Sequence, residues 1–101
     1  MPEQNLNEAI AGSPYAVIDF FATWCGPCKM LAPILFEVEK ETTGVAFFRV
    51  DVDQAPDLAR RFGIMSIPTL VFLKNGEEVG RSVGFLRKPE LLVKINELKT
   101  R

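Results

Sequence analysis

The segment AVIDFF, from Ala16 to Phe21, constrains the fold of this chain more than any other segment. Every position except Asp19 is apolar, so the strand that it predicts would need a cover on both of its alternating faces. Strands of this kind lie inside a sheet that carries helices on both sides. We therefore expect a central strand here and an α/β fold around it.

The segments that flank this strand predict the elements that cover it. Apolar residues at helical spacing predict four helices, at about residues 3–11, 25–41, 53–62 and 89–99. Pro2 suits the first turn of the first helix, and Asn75-Gly76 predicts a hairpin because both residues tolerate positive φ. The segment from Val45 to Val52 predicts another strand. The last helix should bury one apolar face, formed by Leu91, Leu92, Ile95 and Leu98.

The resulting order is α, β, α, β, α, β, β, α, which fits one mixed sheet with helices on both faces. The 101 residues are 48% hydrophobic and 25% charged, so one domain over residues 1–101 can bury its own core. The 12 basic and 13 acidic residues are scattered, which argues against nucleic acid as a partner. The start MPEQNLNEAI resembles neither a signal nor a transit peptide, and no apolar run could span a membrane. We expect a soluble protein of the cytoplasm, where thiols are mostly reduced.

Both cysteines of the chain lie in FATWCGPCKML, separated by Gly26 and Pro27. A zinc site needs four ligands, and the chain has two cysteines and no histidine, although two chains together would supply four thiolates. A structural disulfide would close a loop of a few residues and stabilise the fold by only about 2 kcal/mol. The lack of histidine also excludes a Cys-His hydrolase. Thiol–disulfide exchange is the favoured interpretation, while a zinc site and a structural disulfide stay open.

Exchange would use the two cysteines differently. Cys25 lies where a strand passes into a helix, and the free N–H groups and the dipole of a helix start stabilise an anion there. Cys25 would attack a disulfide of a partner, and Cys28, a turn further and directed inward, would displace the reduced partner. Asp19, if buried rather than on an exposed strand edge, would have a raised pKa and could accept and return the Cys28 proton.

The sequence resembles the thioredoxin family over nearly its whole length. WCGPC follows VIDFFAT, SIPT comes about forty residues later, and Asn75-Gly76 and Gly84 complete the match. The resemblance implies the thioredoxin fold and a redox-active disulfide, with Cys25 as nucleophile, Cys28 as resolving thiol and Asp19 as buried acid/base. It also implies a cis-proline and a flat surface for binding substrates, formed by Trp24, Gly26, Pro27, Ile67, Pro68 and Gly84.

The function that this resemblance implies is that of a protein disulfide reductase, an oxidoreductase in electron transport and cell redox homeostasis. In the family, CGPC goes with reductants, whereas oxidants and isomerases usually carry other residues between the cysteines. The chain has no G-x-G-x-x-G motif, so we expect no bound cofactor and no metal, with electrons supplied by a separate thioredoxin reductase. The other partners would be disulfide-containing proteins, and the chain would act as a monomer without membrane contact. The alternatives are a binding subunit that does not turn over, and an oxidant or isomerase.

Three departures from the family pattern accompany the match. No strand precedes the first predicted helix, so we expect four strands where family members usually have five. Phe21 stands where many bacterial members have a second tryptophan. Arg49 stands where a lysine near the buried aspartate is common, and we expect it to be a solvated strand residue, with a place beside Asp19 as the alternative.

Overall fold

The computed structural model describes residues 3–101, so the predicted place of Pro2 lies outside the described residues. Within that range, four helices are formed: Glu3–Ala11 (α1), Gly26–Glu41 (α2), Pro56–Arg61 (α3) and Lys88–Lys99 (α4). Four strands alternate with them: Tyr15–Phe21 (β1), Ala46–Asp51 (β2), Thr69–Lys74 (β3) and Glu77–Val83 (β4). The predicted order of elements is therefore confirmed.

The strands form one mixed sheet in the order β2-β1-β3-β4. β1 runs parallel to β2 and antiparallel to β3, and β3 pairs with β4 through a tight hairpin. Asn75 and Gly76 have φ values of 51° and 85°, the positive values that a two-residue hairpin turn requires. β1 is central as expected, and its five inner residues are buried because strands flank it and helices cover both of its faces.

The two faces of the sheet carry different helices. Ala16, Ile18 and Phe20 pack with residues of α1 and α3. Because side chains alternate along a strand, Val17 and Asp19 lie on the opposite face, where Val17 packs with the apolar sides of α2 and α4. Asp19 therefore places a carboxyl group on the face of the sheet that α2 covers.

The apolar face predicted for α4 is partly wrong. Leu91, Ile95 and Leu98 are buried, but Leu92 is 38% exposed. Successive residues of a helix are rotated by about 100°, so a residue beside Leu91 in sequence leaves the face that Ile95 and Leu98 share. α4 consequently packs on the sheet with a narrower face than its four apolar residues predicted.

Candidate active site

The two cysteines lie where β1 passes into α2. Cys25 is the N-cap of α2, with φ −88° and ψ 114°, and its Sγ accepts a hydrogen bond of 3.2 Å from the Cys28 backbone N–H. Pro27 occupies the first turn, where its missing N–H leaves no hydrogen bond unmade. The predicted position of Cys25 at a helix N-terminus is confirmed, and the helix dipole favours negative charge at that sulfur.

Cys25 and Cys28 form a disulfide, and their Cα atoms are 5.3 Å apart, a usual separation for such a bond. Both residues are buried, and Cys28 is the more deeply buried of the two. Phe21, Ala22 and Ile67 pack around them. The structure therefore represents the oxidised form, with Cys28 on the interior side as expected.

The loop before β3 lies next to Cys25. The peptide bond between Ile67 and Pro68 is cis, as expected, and the Ile67 carbonyl oxygen lies 3.9 Å from Cys25 Sγ. Gly84, with φ 97°, donates its backbone N–H to the Pro68 carbonyl oxygen at 2.8 Å. The structure thus brings Ile67, Pro68 and Gly84 together beside Cys25, where an extended chain could pair with the Ile67 backbone.

Trp24 is 69% exposed, and its Nε1–H donates a hydrogen bond of 2.8 Å to Asp53 Oδ2. Gly26 and Pro27 are exposed at the start of α2. Asp53 was not predicted from the sequence, because no local pattern connects it with Trp24. Met65, a large apolar residue two positions before Ile67 that is 94% exposed, was not predicted either. Met65 belongs to the same loop as Ile67, whose carbonyl oxygen lies near Cys25, so a substrate that binds at this loop could contact it.

Asp19 is buried as predicted, with 2% exposure. Its Oδ2 accepts a hydrogen bond of 3.1 Å from Arg49 Nε, whereas its Oδ1 has no hydrogen-bond partner within the part of the chain that the structure describes. Burial raises the pKa of the Asp19 carboxyl above its ordinary value, and the hydrogen bond and charge of Arg49 oppose that rise. The carboxyl group is therefore poised to hold a proton more readily than an exposed aspartate.

Arg49 is an exposed residue of β2, as expected, but its guanidinium also pairs with Asp19, which was the alternative. The parallel register of β1 and β2 places Arg49 directly opposite Asp19, and the two side chains form an ion pair. A carboxylate that is removed from water needs a counter-charge, and β2 supplies it at the adjacent position. The departure from the family's lysine therefore keeps a cation beside the buried aspartate.

Two aromatic rings contact the guanidinium of Arg49. Its Cζ lies 3.9 Å from the ring centroid of Phe21 and 5.5 Å from that of Phe36. An open apolar groove between β1 and α2 is lined by these two rings, by Arg49 and by Cys28. Phe36 was not predicted from the sequence, although an aromatic residue outside the buried face of α2 is a signal that it contacts something other than the core.

A metal centre is not formed by the described side chains, since no three of their histidine, cysteine, aspartate and glutamate residues lie together in a suitable group. A disulfide lies at a helix N-terminus with a cis-proline loop against it, and the arginine that pairs with the buried Asp19 lines a groove together with Cys28. The sequence model of the family described as Thioredoxin matches residues 1–97. This chain belongs to the thioredoxin family.

Individual relatives agree with this assignment. The chain is 46% identical over 94 residues to a thioredoxin of Chlamydia caviae, covering 93% of this chain and 91% of the relative. It is 47% identical over 74 residues to thioredoxin-2 of Saccharomyces cerevisiae, covering 73% of this chain and 71% of that relative. Among solved structures, a Plasmodium falciparum thioredoxin superposes with a TM-score of 0.89 at 34% identity, covering 94% of this chain and 92% of the other. A mutant thioredoxin of Halobacterium salinarum gives a TM-score of 0.88 at 34% identity, covering 97% of this chain and 86% of the other.

The expected fold class is thereby confirmed as the thioredoxin fold with a four-stranded mixed sheet over the described residues. The family and the disulfide between Cys25 and Cys28 identify the chain as an enzyme, a thiol–disulfide oxidoreductase. Disulfide-containing proteins and a reductase that restores the dithiol are the kinds of partner that this family implies.

Proposed function

We propose that this chain works as a reductant of protein disulfides, with Cys25 as the attacking thiol. The observation that carries the proposal is the position of Cys25 Sγ, which caps α2 and lies 3.9 Å from the Ile67 carbonyl oxygen. The helix N-terminus stabilises the thiolate that must attack, and the Ile67 backbone offers hydrogen-bonding groups to an extended substrate segment. A substrate paired there would bring its disulfide to this sulfur.

In the first step, the Cys25 thiol releases its proton to solvent, and its thiolate attacks one sulfur of the substrate disulfide. A bond forms between the two sulfurs, and the second substrate sulfur leaves as a thiolate that takes a proton from solvent. The product of this step is a mixed disulfide between Cys25 and the substrate. Trp24, Gly26, Pro27, Pro68 and Gly84 would provide the surrounding surface; support comes from the position of Gly26 and Pro27 directly after Cys25 and from the hydrogen bond between Gly84 and Pro68.

In the second step, Asp19 accepts the proton of the Cys28 thiol, and the Cys28 thiolate attacks Cys25 Sγ. The disulfide between Cys25 and Cys28 forms, and the substrate leaves as a second thiolate that is protonated by solvent. Asp19 then releases its proton to solvent. The substrate has gained two electrons and two protons, and the dithiol has lost them. Support for the role of Asp19 comes from its burial and its raised pKa on the face of β1 that α2 covers.

The oligomeric state, the electron donor and the compartment complete the proposal. Every proposed group belongs to one chain, so we propose that a monomer carries out the reaction without a bound cofactor. A thioredoxin reductase would supply the electrons, and the cytoplasm would be the compartment, as part of cell redox homeostasis. No helix within residues 3–101 has the length and apolar character needed to cross a membrane.

Equilibration in glutathione buffers tests the direction of the reaction. A reductant should stay oxidised in moderately reducing buffer, with a potential near −270 mV rather than the roughly −120 mV of a strong oxidant. Insulin reduction by dithiothreitol should be accelerated, Cys25→Ser should abolish this acceleration, and Cys28→Ser should accumulate mixed disulfides through Cys25. Full activity of Cys25→Ser would refute the mechanism, and a potential near that of an oxidant would refute the direction.

A further inference from the structure

The position of Arg49 depends on two rings that the proposed chemistry does not use. Its guanidinium spans from the buried Asp19 carboxylate, at 3.1 Å from Nε, to the rings of Phe21 and Phe36. The Arg49 side chain is 31% exposed, so without lateral contacts its long chain could also reach solvent. A cation over the face of an aromatic ring is attracted by the ring, and more strongly where water is partly excluded.

The charged and titratable groups around Asp19 come from few elements among the described residues. α2 contributes Cys28 at the end of the groove, and Glu39 lines the small cavity that Asp19 and Arg49 also line. Lys29 lines the groove, and Asp51 lies near Arg49 at the end of β2. β3 presents the uncharged Leu70 opposite Asp19. Arg49 is the cation that forms an ion pair with the carboxylate, so among these charged groups its position affects the ionisation of Asp19 most.

We propose that Phe21 and Phe36 are positioning residues whose rings hold the Arg49 guanidinium against Asp19 and thereby extend the ionisation of Asp19 to lower pH. Through this contact, they determine the pH range in which Asp19 can accept a proton. Phe36 acts from the surface, because it is 46% exposed and its ring lies 5.5 Å from the guanidinium. The inference rests on the proposed function where it connects this range with the release of substrate by Cys28.

The test is a titration of Asp19 followed by NMR of its carboxyl carbon in the oxidised protein. Phe36→Leu removes the ring and keeps an apolar side chain at a half-exposed position, so the fold should be retained. Without the ring, Arg49 spends time away from Asp19, and the titration midpoint should rise by a few tenths to about one pH unit. Phe36→Tyr keeps the ring, and its midpoint should stay close to that of the unmodified chain.

Two further variants separate the ring contact from other effects. Phe47→Leu removes a ring that lines the same cavity but is not one of the two rings in contact with Arg49 among the described residues, so the midpoint should not move. Arg49→Met should raise the midpoint by more than Phe36→Leu, and adding Phe36→Leu to Arg49→Met should have no further effect, as a double-mutant cycle requires for a residue that acts through Arg49.

An unchanged midpoint in Phe36→Leu, or an equal rise in Phe36→Tyr or Phe47→Leu, would overturn the proposal. The pH profile for the resolution of a mixed disulfide, measured on the same variants, examines the proposed function separately. A profile that moves together with the NMR midpoint supports both. A moved midpoint with an unmoved profile supports the positioning of Arg49 and overturns the role of Asp19 as the base.

Discussion

Replacing Asp19 by asparagine should change the stability of the fold in a way that depends on pH. Asp19 is almost fully buried, its Oδ1 has no hydrogen-bond partner among the described residues, and burial raises its pKa in the folded chain. Between the unfolded pKa of about 3.9 and the higher folded value, the folded chain binds more protons than the unfolded chain. The free energy of unfolding therefore falls as the pH rises through this window, and it stays lowered above it.

Asparagine at this position carries no charge at any of these pH values. A buried polar group without a hydrogen-bond partner costs about 1–3 kcal/mol and a charged group costs more, and the hydrogen bond and charge of Arg49 offset part of that cost. We therefore expect Asp19→Asn to gain about 1–2 kcal/mol relative to the unmodified chain when the pH is raised from about 3.5 to about 7. The stability difference between the variant and the unmodified chain at the lower pH measures the effect of the amide on packing, because the aspartate is then largely uncharged, as the asparagine is. Subtracting it from the difference at the higher pH leaves the effect of the charge.

Urea unfolding of the oxidised protein at both pH values measures this difference. With a slope of about 2 kcal/mol per molar urea, the expected gain corresponds to a change of about 0.5–1 M in the unfolding midpoint. Asp57→Asn is a matched control, because Asp57 is exposed on α3 and its ion pair with Arg60 lies in solvent. A gain for Asp19→Asn that is equal at both pH values would mean that the ion pair with Arg49 balances burial, and a reversal at neutral pH would mean that it outweighs burial.

Three other substitutions test separate parts of the structure. Leu91→Ala should lower the free energy of unfolding by about 2–5 kcal/mol and Leu92→Ala by less than about 1 kcal/mol in urea unfolding, and equal losses would contradict the observed face of α4. Gly84→Ala should cost about 1–2 kcal/mol in the same assay, because φ is +97° while open space surrounds the site, so a neutral result would contradict the strain. Met65→Glu should lower kcat/KM several-fold for protein disulfides and leave a small-molecule disulfide unaffected, since the substitution changes the exposed surface and not the cysteines. Equal losses on both substrates would remove Met65 from the binding surface.

The order of the elements was predictable because it depends on local patterns. The apolar run of β1, the helical spacing after Cys28 and the Asn75-Gly76 turn each act over a few residues, and each predicted its element correctly. The burial of Asp19 followed from its apolar neighbours in the same strand. The position of Cys25 followed in the same way from the junction between β1 and α2.

The surroundings of Asp19 were not predictable in this way. The partner of Asp19 depends on the register of β1 and β2, and the whole of α2 separates these strands in sequence. A shift of one residue would have turned Arg49 away from Asp19, toward the face of the sheet that α1 and α3 cover. The ring of Phe36 and the hydrogen bond between Trp24 and Asp53 likewise join residues that only the folded chain brings together.

The capping of α2 by Cys25 links the folding of a helix to electron transfer. The sulfur that accepts the Cys28 N–H is the same atom that gains or loses charge when the pair is reduced or oxidised. A negative charge at a helix N-terminus is stabilising by about 0.3–1 kcal/mol, and an energy of that size corresponds to roughly 6–20 mV in the potential of a two-electron couple. In a closed thermodynamic cycle, a substitution that loosens the first turn of α2 must also alter the reduction potential. The stability of this turn is therefore a means by which the chain can adjust how readily it gives up electrons.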